Sequence, residues 1–209
     1  MSVPLRCSFF IDGFNFYHSI DNSPLQNRYK WFNYAALARS YLPHSHQLGI
    51  IHYFTAYADW MPDKKRRHKA LIRALLSEGV KVRRGKFKEK SRYCRWCQKT
   101  WKAHEEKQTD INIAIELMSS AFKNEYDTAI IISGDTDLVP AVRRVKNLFP
   151  EKRIGVLFPP GMRHGELERC CDYAIKLYAN QLKKFRFSDV VQWNVGSQRL
   201  SVACPEEYK

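Results

Sequence analysis

Asp127-Thr128-Ala129-Ile130-Ile131-Ile132-Ser133-Gly134-Asp135-Thr136-Asp137-Leu138-Val139-Pro140 is the stretch that decides the fold. Its first half is a continuous β-branched run without polar alternation, as a strand covered on both faces requires. Gly134 turns it, and a helix is predicted from about 137 to 148, ended by Pro150. A strand buried on both faces belongs to a parallel sheet flanked by helices. The flanking sequence should therefore alternate between strand-like and helix-like patterns.

It does so in both directions. Residues 8–11 form a short apolar run closed by the turn signal Asp12-Gly13, which predicts a first buried strand. Asn33 is a candidate N-cap for a helix to residue 42, with Tyr34, Leu37, Ala38 and Tyr41 at helical spacing. Residues 49–57 read as a second strand. Asp63 can cap a helix over 64–78, whose stripe is His68, Leu71, Ile72, Leu75 and Leu76, with Gly79 as its stop. Residues 80–87 read as a third strand. A helix is predicted over 110–122, a strand over 152–158, a short helix over 166–171 and a last strand over 173–177. The order predicts a doubly wound α/β fold with a mainly parallel sheet and helices on both faces. The domain is expected to span residues 1–183, with a polar, basic, cysteine-containing loop or hairpin inserted at 88–106. Residues 184–209 are a tail, readable as an extra strand, a domain-closing segment or partly disordered chain.

The chain has 209 residues, 44% of them hydrophobic, enough for one sizeable core. No apolar run approaches the roughly 20 residues that span a bilayer. The run at 8–11 is also too short for a signal peptide, so a cytoplasmic protein without a membrane partner is expected. Its six cysteines are then reduced thiols or metal ligands. No feature of the sequence specifies an oligomeric state.

A net charge of +14 favours polyanionic partners, RNA among them. Lys64, Lys65, Arg66 and Arg67 open one predicted helix. Lys81, Arg83, Arg84, Lys86, Lys88, Lys90, Arg92 and Arg95 carry the charge through the next strand and the insert. Acids near them in sequence are few, so they read as phosphate contacts; the candidates for substrate binding are Lys64, Lys65, Arg83, Arg84 and Lys86. Tyr93, Trp96 and Trp101 either stack on unpaired bases or pack as a small core of the insert.

The acids fall at telling places. Asp12 closes the first strand, Asp135 and Asp137 follow the central strand, and Asp110 opens a helix. Ligands of open parallel sheets bind beyond the carboxyl ends of strands, where the strand order reverses. Each acid has a structural reading as well. Asp12-Gly13 can be a turn, and Asp110 can answer a helix dipole. Asp135 or Asp137 can be an N-cap; if Asp137 is the cap, Asp135 is left without a capping role. If they converge, each pair repels by about 4 kcal/mol at 4 Å and an effective dielectric near 20. Such a cluster holds a cation or raises its own pKa values. Oxygen ligands alone favour Mg²⁺ or Mn²⁺, and on a basic chain this points to metal-assisted phosphodiester hydrolysis.

In the insert, Cys94-Arg95-Trp96-Cys97 has the spacing of a zinc chelate. His104 is a candidate third ligand, and Cys170, Cys171 or Glu105 a candidate fourth. The other reading is a pair of reduced thiols packed with Trp96 and Trp101.

Three segments resemble a known family. Phe10-Ile11-Asp12-Gly13-Phe14-Asn15-Phe16 is similar to the opening motif of NYN domains, and Glu106-Lys107-Gln108-Thr109-Asp110-Ile111 to their Lys-x-x-Asp helix start. Ser133 to Pro140 is similar to their Ser-Gly-Asp-x-Asp-φ-x-Pro segment. They occur in the family's order over about residues 8–177. The resemblance implies a PIN-like nuclease fold that cleaves RNA with a divalent metal held by Asp12, Asp110 and Asp135, Asp137 supporting. Asn15 would shape the site or touch substrate. Lys107 would stabilise phosphate charge or is a solvated side chain. Where the family often has glycine after the motif lysine, this chain has Gln108. The competing readings are a non-catalytic RNA-binding module and a small-molecule enzyme or phosphatase on the same scaffold. No Gly-x-Gly-x-x-Gly or Walker A sequence supports a nucleotide cofactor.

Overall fold

The central run is a strand with every residue buried. The computed structural model describes residues 4–21 and 24–209, the side chains of 24–26 excepted. In chain order the elements are β1 (Leu5–Asp12), α1 (Gly13–Asp21), α2 (Tyr34–Ser40), β2 (His46–Thr55), α3 (Pro62–Ser77), β3 (Lys81–Arg84), β4 (Lys86–Tyr93), β5 (Thr100–Lys107) and α4 (Thr109–Phe122). Then follow β6 (Thr128–Ile132), α5 (Val139–Leu148), β7 (Arg153–Phe158), α6 (Gly165–Cys170), β8 (Tyr173–Lys176), β9 (Val190–Val195) and β10 (Gln198–Ala203). Six strands make one sheet in the order β3-β2-β1-β6-β7-β8, and every pairing in it is parallel. No helix among the described residues is long and apolar enough to cross a membrane.

The two-residue period of the strands sorts the core. Phe9, Ile11, Ile130 and Ile132 face one side, with α1, α2 and α3. Phe10, Ala129 and Ile131 face the other, with α4, α5 and α6. Helices therefore cover both faces, and no strand in the centre needs a polar side.

Three local outcomes differ from the sequence reading, and at a fourth place the chain takes up one of the readings left open. Residues 13–21 form α1, where Asp12-Gly13 signals only a turn. Asp12 Oδ1 accepts the backbone N–H of Asn15 at 2.9 Å, and Phe16 and Ile20, one turn apart, are buried. The acid thus starts a helix. The strand predicted at 80–87 breaks at Gly85, whose N–H donates to the Thr55 carbonyl at 2.8 Å. A Cβ there would lie 2.7 Å from the Lys107 carbonyl oxygen, so the chain leaves the sheet at a residue that must be small. The predicted helix at 137–148 opens with a single 3₁₀ turn, Thr136–Leu138, and of the two candidate caps Asp135 is the one used. Finally, residues 190–203 form a hairpin that sends Val191 and Val202 into the α1–α3 side of the core, and Cys204 and Tyr208 follow them there.

The insert is an antiparallel hairpin, β4–β5, with Lys86 opposite Lys107 and Tyr93 opposite Thr100. Alternation places Lys86, Lys88, Lys90, Arg92, Trp101, Glu105 and Lys107 on one face, and Phe87 and His104 on the other.

Gly13 fixes how closely α1 approaches β2. A Cβ at this position would sit 2.6 Å from Cε2 of Tyr53, whose ring is buried. Gly13→Ala is expected to destabilise the domain by about 1–3 kcal/mol through overpacking. A lowered urea midpoint at unchanged m-value checks this; an unchanged midpoint would mean that Tyr53 yields freely.

Candidate metal centre

The strand order reverses between β1 and β6, and the carboxyl edge of the sheet at such a reversal is where ligands of parallel sheets bind. Asp12 is the last residue of β1, and its parity puts it on the face of Phe10, toward α4 and α5. Asp110 lies in the first turn of α4, and Asp135 three residues beyond β6. One oxygen from each of Asp12, Asp110 and Asp135 lies within 4.8 Å of the others. The three expected ligands meet, brought from positions up to 123 residues apart.

A hydrogen-bond network fixes them. Asp12 is 3% exposed. Its Oδ2 accepts the Ser133 hydroxyl at 2.9 Å, and Ser133 Oγ in turn accepts the Asp135 N–H at 3.0 Å. Asp135 Oδ1 accepts the Asp137 N–H at 2.9 Å, and Asn15 Oδ1 accepts the Gly134 N–H at 2.9 Å. Asn15 therefore ties α1 to the turn after β6 and positions the acids. Ser133 and Glu106 gain no role from a reading of strand ends alone; their one sequence signal is their place inside the two motifs. Ser133 bridges two aspartates, and Glu106 accepts a hydrogen bond from Thr109 at the start of α4.

The site is electrostatically uncomfortable without a cation. Burial pushes Asp12 up to about 7, and its bonds from Asn15 and Ser133 only partly oppose this, while Asp110 and Asp135 add repulsion. Burial also pushes Asp110 up to about 6, helped by the charges of Asp135, Glu106 and Asp137. Three converging carboxylate oxygens, two of them on the acids Asp12 and Asp110 that resist ionisation, could hold a hard divalent ion. Asp137 stands at the rim, outside the three-oxygen group but close enough to repel Asp110. Gln108 adopts a left-handed φ of 82°, so it holds the backbone shape that glycine favours and α4 still starts at the site.

The basic candidates scatter. Lys86 and Lys107 face each other at the base of the hairpin, next to α4. Lys64 lines a cavity beside α1. Lys65 pairs with Asp59 at 2.6 Å, Arg83 with Glu116 at 3.3 Å, and Arg84 lies over the Tyr57 ring at 5.4 Å. The positive run is thus less free than its sequence suggests. Glu207 holds Arg66 and Arg67, and Glu105 holds Lys90, Arg92 and Lys107. Glu207 and Glu116 are distant in the chain, which hides the pairing from a local reading.

The cysteine insert requires a correction. Cys94 and Cys97 sit at the hairpin tip, where the Cys94 N–H donates to the Lys99 carbonyl at 2.9 Å. His104 lies four residues down β5 from Thr100, about 14 Å away at strand rise, and its ring stacks on Trp60 at 3.6 Å. Cys170 and Cys171 pack against the α4–α6 side of the core. Among the described residues, Cys94, Cys97 and His104 do not converge as a ligand set. Strand pairing and ion pairs order this hairpin.

The sequence model of the NYN domain family matches residues 6–179. A curated relative, 6-hydroxy-3-succinoylpyridine 3-monooxygenase HspA of Pseudomonas putida, is 30% identical; the match covers 76% of this chain and 61% of that protein. The chain therefore spans less than two thirds of this relative. A crystal structure of a protein of unknown function from Vibrio parahaemolyticus aligns with a TM-score of 0.60 at 17% identity, over 86% of this chain and 98% of that one. It shares the fold.

Proposed function

This chain belongs to the NYN domain family, and from that premise we propose that it is a divalent-metal-dependent ribonuclease cutting RNA endonucleolytically at Asp12, Asp110 and Asp135. The observation that carries this reading is the meeting of three carboxylate oxygens within 4.8 Å at the strand-order reversal, on a chain of charge +14.

Asp12, Asp110 and Asp135 would hold Mg²⁺ or Mn²⁺. The bound ion supplies charge stabilisation at the phosphate and makes water a better nucleophile. Asp12 is the buried anchor, fixed by Asn15 and Ser133. Asp110 and Asp135 form the open side. Asp137, outside the three-oxygen group, is the carboxylate available to accept a proton from the attacking water. Lys86 and Lys107 at the hairpin base hold the phosphodiester chain and offset its charge. The starts of α1 and α4 direct partial positive charge toward the same place.

Labelled RNA incubated with Mn²⁺ is expected to be cut internally, and the same reaction in EDTA to leave it intact. Tight RNA binding with no cleavage under any divalent ion would favour a non-catalytic binding module instead. A second reading also has observations behind it: an aromatic-lined cavity of about 280 Å³ beside the acids, and a relative named for a succinoylpyridine. Turnover of a small heteroaromatic acid without any RNA cleavage would support that reading.

A further inference from the structure

The cavity lies at the carboxyl ends of β1 and β2, on the α1–α3 face of the sheet, and has a volume of about 280 Å³. Phe14 and Tyr17 line it from α1, Tyr53 from β2, Trp60 from the turn before α3, and Phe87 and His104 from the hairpin. These rings brace one another. Trp60 stacks on His104 at 3.6 Å and 8°, Phe87 meets Trp60 edge-on at 4.8 Å, and Phe14 meets Phe87 edge-on at 5.7 Å. Three separate elements thus form one rigid aromatic frame around open space. Well-packed cores leave few voids larger than a water molecule, so a space of this size with half-exposed walls is a binding shape and not a packing fault. Trp60 is 40% exposed.

The size falls at the lower end of small-ligand sites, too small for a folded segment and adequate for one ring system. Most of the exposed wall is apolar, and among its polar groups Lys30 is taken up by Asp21. Thr55 Oγ1 bonds His68 Nε2 at 3.0 Å, and both residues line the space, as does Lys64. Flat apolar walls with a hydroxyl–imidazole pair describe a planar heteroaromatic ring, and the charged groups, Lys64 beside the Lys30–Asp21 pair, sit among them.

Its position adds the decisive constraint. Gly13 lines the cavity and directly follows Asp12, so their Cα atoms are about 3.8 Å apart. Phe87 lines it too, and its partner across the hairpin is Glu106, four residues before Asp110. Cavity and acids flank the start of α1 at the same sheet edge. Tyr53 and Tyr34, which line the cavity, lie close enough to Asp12 for its charge to oppose their ionisation, so cavity and acids are neighbours.

We propose that this cavity is a base subsite: it receives one unpaired nucleobase of the RNA strand whose phosphate lies at the aspartates, so that single-stranded or unstacked RNA is the substrate. The proposal rests on the ribonuclease reading above. A base in a duplex is covered on both faces and along its pairing edge, and cannot enter a pocket of this kind. Base–aromatic stacking also tolerates different bases, which suits a frame whose exposed wall is mostly apolar.

The test uses a single-stranded oligoribonucleotide carrying one 2-aminopurine, titrated with the full chain in Ca²⁺, a cation that oxygen ligands also take, with a gel to check that the strand stays intact. Emission is expected to be quenched on binding, and Trp60→Ala to weaken affinity about tenfold. Phe87→Ala, read by the same titration alongside circular dichroism, guards against a folding artefact at one position. The matching duplex is expected to compete poorly. Equal affinity of wild type and both variants, or duplex binding as tight as single-strand binding, would overturn the subsite. Displacement of the probe by a hydroxypyridine carboxylate but not by nucleoside monophosphates would also overturn it, assigning the space to a small metabolite. Quenching that depends on Trp60, in a protein that cuts no RNA with Mn²⁺, would uphold the base subsite while the ribonuclease reading fails.

Discussion

Asp135→Asn is expected to lower Mn²⁺-dependent RNA cleavage by about a thousandfold or more, which corresponds to roughly 4 kcal/mol of lost transition-state stabilisation. Asparagine keeps the side-chain oxygen that caps the turn after β6, so the bond from the Asp137 N–H at 2.9 Å can persist. The Asp135 backbone N–H still donates to Ser133 Oγ. What disappears is one of the three negative charges that converge within 4.8 Å. A unit charge near 4 Å is worth about 4 kcal/mol at an effective dielectric of 20, which sets the scale of the loss. Single-turnover rates at saturating Mn²⁺, with circular dichroism to confirm the fold, measure it. Partial recovery at higher Mn²⁺ is consistent with a weakened site. Wild-type rates in a folded variant would end the assignment of Asp135 as a metal-holding residue.

The central strand and its neighbours were legible because a buried parallel strand has a local signature, the β-branched run at 128–132. The acids were legible because each ends a strand or begins a helix, and parallel topology brings such places to one edge. Asp12 shows where local reading stops. Asp12-Gly13 looks alike as a turn and as a helix start, and only the burial of Phe16 and Ile20 decides for α1. The choice of cap between Asp135 and Asp137 is similarly decided by a single 3₁₀ turn. Long-range pairing was the least accessible: nothing near Arg66 and Arg67 in sequence points to Glu207, yet that residue takes up their charge. His104 does not join the two cysteines for a related reason. The interval from Cys97 to His104 fits a chelating loop, but residues 100–107 are extended, which carries the imidazole away from the thiols and onto Trp60.

Asp12→Asn is expected to abolish cleavage and, in the absence of divalent ions, to make the domain more stable. Asp12 titrates near 7 in the folded chain against about 3.9 unfolded, chiefly because burial disfavours its charge. Between those values the folded state binds more protons than the unfolded one, so this group's contribution to stability falls as pH rises from about 4 to 7. Three pKa units correspond to about 4 kcal/mol, an upper figure for what ionised Asp12 costs at pH 8. Asparagine resembles the protonated acid. Its oxygen can accept from the Asn15 N–H, and its amide can donate to Ser133 Oγ once that hydroxyl rotates. The variant should therefore match wild type near pH 4 and exceed it by a growing margin toward pH 8, as urea unfolding in EDTA would show. His52 and His68, both held down to about 4 by burial, contribute the opposite slope between about 4 and 6.5. They are common to both proteins and drop out of the difference. Adding Mg²⁺ should narrow this margin and, at high enough excess, reverse it, because only the intact acid set gains binding free energy, about 2.7 kcal/mol at a hundredfold and about 4.1 kcal/mol at a thousandfold excess over Kd. A variant less stable than wild type at pH 8 in EDTA would show that ionised Asp12 is not a burden on the metal-free fold, and the cation would lose its physical rationale.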